Sequence, residues 1–159
     1  MSQDGPVMNT SDVDHRPPGK SPAARVAWLA TASGAATVLV FIPMVLRNPS
    51  TMDSAPASWL VAMLLAAPLT SYLAGRRLGF PLKVTSSFLV GLPQLPLLVS
   101  LSGASVWLDV QRGHLLAGSG EESMSYGIGT TVASIAGIFL LILVAAAALL
   151  GSRRSATKN

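Results

Sequence analysis

The sequence predicts an all-α membrane protein, a four-helix transmembrane bundle with proline-kinked second and third helices. Three observations carry this expectation. Four apolar stretches are each long enough to cross a bilayer as a helix. Charge is scarce: half of the 159 residues are hydrophobic and 11% are charged, where a soluble domain carries about a quarter. The basic residues gather at the ends of the apolar stretches, mostly on one side. At this length a single membrane domain is expected, with a mean hydropathy of +0.54.

Residues 1–22 are polar and rich in Pro, Ser, Asp and Gly, without helical or strand periodicity, and read as a disordered cytoplasmic tail. The first span, 24–46, has no charge in its interior beyond Arg25, and Pro43 sits in its last turn. Its apolar core exceeds that of a secretory leader, so it reads as a retained crossing helix despite the small residues Ala55-Pro56-Ala57 downstream. The second span, 57–75, carries Pro68 in its middle. That proline removes one backbone donor and frees the carbonyl of Leu64, with Thr70 and Ser71 near enough to compensate. The third span, 84–106, is interrupted by Pro93 and Pro96 with Gln94 between them. It reads as a kinked crossing helix, the alternative being a re-entrant pair of half-helices. The fourth span, 126–150, is the most apolar and is followed by a short cytoplasmic tail, 152–159.

Charge orients these spans. Arg16, Lys20, Arg25, Arg76, Arg77, Lys83, Arg153, Arg154 and Lys158 fall on one side, against Arg47 and Arg112 on the other. The positive-inside rule places the rich side, and both termini, in the cytoplasm. The 47–56 and 107–125 loops then face outward, with Asp53, Asp109, Glu121 and Glu122. Aromatic residues agree, since Trp28 and Tyr72 fall near the inner interface and Trp59, Trp107 and Tyr126 near the outer one. The frequent Ala, Gly, Pro and Arg suit a GC-rich bacterial genome, so the expected location is a bacterial plasma membrane.

Absences narrow the chemistry. No cysteine is present, which excludes disulfides, thiol redox chemistry and thiolate metal sites. Neither His15 nor His114 falls in a span, so a haem held by two histidines inside the membrane is not expected, nor is any other cofactor or metal. The span interiors hold no ionisable group, which argues against proton-coupled exporters and intramembrane aspartyl proteases. The basic residues flank spans, so nucleic acid is not an expected partner. The lipid bilayer is.

Candidate contact residues remain. Gln94, with Pro93 and Pro96 on either side, is the most polar residue expected at mid-membrane, and its amide suits a bond to a freed carbonyl or to another helix. Small residues recur at helix-contact spacing: Ala62, Ala66, Thr70 and Ala74 on span two, flanked by Ala67, Ser71 and Gly75; Ala27, Thr31 and Ala35 on span one, beside Ala30 and Gly34; Gly129, Ala133 and Gly137 on span four. Together with the Pro68 kink they suggest close helix packing, within the chain or against a partner. The expectation is a non-catalytic accessory, scaffold, assembly or immunity subunit acting through helix contacts with a membrane-protein partner or with itself. One alternative is a small permease or transport component using the broken spans. Another is a membrane enzyme whose site lies in the 107–125 loop, where Asp109, Gln111, Arg112, His114, Glu121 and Glu122 cluster in sequence.

Overall fold

The computed structural model describes residues 21–47, 57–78 and 81–156. The tail 1–20, the 48–56 connection with Asp53, and Lys158 lie outside the described residues, as do the side chains of Arg47 and Trp59. Every regular element described is an α-helix: α1 Pro22–Arg47, α2 Ala57–Gly75, α3 Val84–Gly91, α4 Gln94–Gln111 and α5 Gly120–Ala156. Three stretches are long and apolar enough to cross a membrane, Pro22–Leu46, Val84–Gln111 and Gly120–Ser155, and α2 adds a shorter apolar helix over Val61–Gly75.

Local chemistry explains the ends. Ser21 Oγ accepts the Ala24 N–H and caps α1. Pro68 lies inside α2, which runs through it. Thr70 Oγ1 donates to the Ala66 carbonyl at 2.7 Å, rather than to the Leu64 carbonyl that Pro68 frees. At the third span, Leu92 and Pro93 interrupt the helix but keep right-handed helical dihedrals (φ −52°, ψ −40° and φ −63°, ψ −18°). The chain therefore passes the break without reversing.

Register along α5 makes the same point. Gly91 lies against Leu141, Gly137 against Leu95, and Gly129 against Ser102. As the α3–α4 number rises, the α5 number falls in step, so α3 and α4 form one broken rod antiparallel to α5. A re-entrant pair would reverse that trend at the break.

The last two helices are longer than the sequence reading gave them. The 107–125 outer loop shrinks to residues 112–119. Gly113, at φ 76°, ends α4: its N–H bonds the Val110 carbonyl and the His114 N–H reaches the Asp109 carbonyl, the paired bonds of a Schellman stop. Ser119 then starts α5, its Oγ accepting the Glu122 N–H at 3.2 Å while the Glu122 carboxylate accepts the Gly118 N–H at 2.6 Å, a variant of the capping box. Gly113 and Gly118, both at positive φ, punctuate the helix ends.

Helix α5 packs on α2, α3 and α4, while α1 packs on α2 and α3 and touches α4 only lightly. The helices alternate in direction. Arg25 of α1 reaches the Leu78 carbonyl after α2, Leu82 before α3 bonds Ser152 of α5, and Arg112 after α4 reaches the Val45 carbonyl of α1. One end of the bundle thus carries Arg25, Arg76, Arg77, Lys83, Arg153 and Arg154. The other carries Arg112, Asp109, Glu121 and Glu122.

The interior is made of small and hydroxyl-bearing residues. Ala67, Ala74, Ala148, Ser33, Thr37, Ser71, Ser87 and Ser152 are buried among a few larger side chains, chiefly Leu29, Val90, Leu140 and Val144. Leu39, Leu65, Leu69, Phe88, Ile135, Ile138, Phe139 and Ile142 face outward. Small residues let backbones approach where packing, not water exclusion, drives association.

Candidate functional site

The most polar group in the middle of the bundle is Gln94, at the first position of α4 immediately after the break. It is fully buried. Its Oε1 accepts from Thr37 Oγ1 at 2.8 Å, and its Nε2 donates to Ser33 Oγ at 3.3 Å. Ser33 Oγ in turn donates to the Ala30 carbonyl at 2.9 Å, and Thr37 Oγ1 also lies 3.3 Å from the Ser33 carbonyl. Ser33 and Thr37 are one turn apart on the same face of α1, so a single amide clamps two turns of that helix. Both polar atoms of the Gln94 amide and both hydroxyls thus have protein partners, as burial in an apolar medium demands.

The clamp sits where it is most needed. Beside it, α1 and α4 diverge around a groove of about 590 Å³ lined by Ala30, Thr31, Gly34, Ala35, Pro93, Pro96, Leu97 and Ser100. Prolines without N–H groups and small residues leave this space open, and Gln94 does not line it. A second apolar space between the same two helices, about 240 Å³, lies toward the end that carries Arg112 and is bordered by Phe41, Val45, Leu101, Ser105 and Trp107. Ala27, Thr31 and Ala35 form an exposed small-residue face on α1 next to the main groove.

The span-two ridge is placed differently. Ala62 is exposed, Ala66 and Thr70 are half-buried, and Ala74 is buried. The adjoining ridge of Ala67, Ser71 and Gly75 is buried. At its end, a Cβ on Gly75 would come within 2.9 Å of the Ala148 carbonyl oxygen. Pro68 is half-buried between these ridges.

The residues grouped in the outer loop by sequence do not form one cluster. Asp109 is buried on α4, whereas His114 and Glu121 are exposed. Glu122 is engaged in the α5 cap. Among the described residues, no group of three His, Asp or Glu side chains could hold a metal ion. Sequence reasoning singled out Gln94 but missed Ser33 and Thr37. Both stand on span one with a third hydroxyl residue, Thr31, and the sequence alone does not select the pair that meets Gln94. It also missed Ser152, whose Oγ accepts the Leu82 N–H at 3.0 Å and ties the 76–83 connection to α5. Compared with known proteins, the chain matches no family model, no curated sequence and no solved structure.

Proposed function

We propose that this chain is a non-catalytic subunit of a bacterial plasma membrane, crossing the bilayer four times with both termini in the cytoplasm and acting through helix contact with another membrane protein. The carrying observation is the α1–α4 groove of about 590 Å³ with the exposed Ala27, Thr31 and Ala35 beside it. A transmembrane helix of a partner laid there would meet small side chains, which permit the close backbone approach that stabilises helix pairs in lipid. The outward large apolar residues and the inward small and hydroxyl residues support a lipid surround. The gathering of basic residues at one end supports the orientation.

The permease reading asks for a polar mid-membrane residue on a cavity. Gln94, the candidate for that role, is consumed in the α1 clamp. The test of the subunit reading is cross-linking in native membranes followed by mass spectrometry. The expected result is a stoichiometric partner whose cross-link is lost in Thr31→Leu/Ala35→Leu. Both positions are exposed, so the substitutions fill the face without disturbing the core. Recovery of the chain only as an uncross-linked monomer would overturn the proposal.

A further inference from the structure

At the basic end a cavity of about 760 Å³ opens between the first turns of α1 and the end of α2. Ala24, Arg25 and Trp28 form one wall, and Ala74, Arg77 and Leu78 the other. Arg25 is positioned from across the opening, its Nη1 donating to the Leu78 carbonyl at 2.9 Å. Arg77, the residue before Leu78, is exposed. Two guanidinium groups are therefore brought to one mouth by a bond that joins its two walls. Trp28 lies three residues on from Arg25, on the same face of α1 and one turn deeper, and is 53% exposed.

The lining is chemically mixed: two cationic planar donors, Arg25 and Arg77, an indole one turn further along α1, Ala74 one turn back along α2, and Ala24 and Leu78 beside the guanidinium groups. Guanidinium forks match phosphate oxygens, and indole favours the depth of lipid headgroups. The surrounding charge agrees. Among the described residues, six basic side chains stand at this end, and Asp109, Glu121 and Glu122 all stand at the other. Two of the six already meet Tyr72: Arg76 and Arg154 lie 6.0 and 5.9 Å from its ring centre, and Arg154 donates to its hydroxyl at 2.7 Å. Arg25 and Arg77 are the pair at the cavity. The complement of such a site is an anion with an apolar body.

We propose that this cavity binds an anionic phospholipid, with its phosphate between Arg25 and Arg77 and its glycerol and acyl portion against Trp28, Ala74 and Leu78. The proposal rests on the reading that the helices cross a membrane. It is tested with the full chain in nanodiscs of phosphatidylcholine containing a minor fraction of phosphatidylglycerol, with retained lipids counted by native mass spectrometry. The expected result is enrichment of phosphatidylglycerol on the protein. Arg77→Gln should lower that enrichment by about fivefold, the effect of one basic residue near an anionic headgroup. Arg153→Gln removes the same charge from the same end without touching the cavity and should leave enrichment nearly unchanged. Equal losses in the two variants would reduce the effect to general surface charge and overturn the site. Displacement of phosphatidylglycerol by soluble glycerol phosphate would overturn the lipid as occupant. A chain that enters the nanodisc but shows no enrichment defeats the lipid site alone, whereas a chain that stays outside the bilayer defeats the membrane reading beneath it.

Discussion

Thr37 Oγ1 donates to Gln94 Oε1 at 2.8 Å across two helices that otherwise touch lightly. That bond, with Gln94 Nε2 on Ser33 Oγ, fixes the start of α4 against α1 just past the break. Replacing Gln94 by Leu removes both links but leaves Ser33 and Thr37 with their backbone acceptors on α1. The expected loss is therefore modest, about 1 kcal/mol, in the range measured for hydrogen bonds between membrane helices. Thermal unfolding in detergent should show a lower midpoint for Gln94→Leu. A raised midpoint would mean that the amide is retained for something other than holding α1.

Close backbone approach makes a sharper prediction, because the glycines divide into two groups. A Cβ at Gly91 would run into the Leu141 carbonyl oxygen, and one at Gly151 into that of Tyr72. Backbone cannot retreat as a flexible side chain can, so α5 would be pushed away from α3 or α2. Gly91→Ala and Gly151→Ala should each cost about 1–3 kcal/mol, as overpacked cores do. Gly103, also inside a helix, meets nothing within 4 Å. Gly103→Ala should be neutral or stabilising by up to about 1 kcal/mol, since glycine weakens helices. Denaturation of the three variants under one detergent condition decides it, and equal behaviour would contradict the packing described for α5.

The connection between α2 and α3 depends on one hydroxyl. Ser152 is fully buried, accepts the Leu82 N–H and donates to the Leu149 carbonyl at 2.9 Å. Ser152→Ala would leave a buried backbone donor without its acceptor, costing about 1–3 kcal/mol. The effect should be local, so limited proteolysis ought to reveal faster cleavage within residues 76–83 before any change in global unfolding. An unchanged cleavage rate would show that Leu82 finds another acceptor.

How much of this was readable beforehand follows from what each feature depends on. The apolar stretches needed only hydropathy, and residues 84–106 read as one span despite their prolines, where the apolar stretch runs over Val84–Gln111 in two helices. The ends of α4 and α5 were misjudged because hydropathy fades at Trp107 and resumes at Tyr126. The helices continue through that polar interval on capping chemistry, Gly113 at one end and Ser119 with Glu122 at the other. Asp109 was consequently assigned to a loop although it is buried on α4. Gln94 stood out as a lone amide in an apolar span, but nothing in a single sequence says which of the many hydroxyl residues it faces. The small-residue ridges were equally ambiguous. With alanine on every span, only packing distinguishes the buried Ala67 and Ser71 from the exposed Ala27 and Ala35.

The proposed direction of the chain through the membrane gives the last prediction, and the absence of cysteine makes it clean to test. Lys83 precedes α3 and Ala117 follows α4, and both are exposed. Because the α3–α4 rod runs in one sense along α5, these two residues stand at opposite ends of the bundle. In the proposed orientation, which follows the charge asymmetry, Lys83 is inside and Ala117 outside. Single substitutions Lys83→Cys and Ala117→Cys each introduce the only thiol in the chain. A membrane-impermeant maleimide applied to intact cells should label Ala117→Cys at once and Lys83→Cys only after the membrane is opened. The reverse pattern would invert the orientation while keeping the crossing. Labelling of both from the same side would mean that Leu92 and Pro93 turn the chain back within the bilayer, against the helical dihedrals both residues adopt.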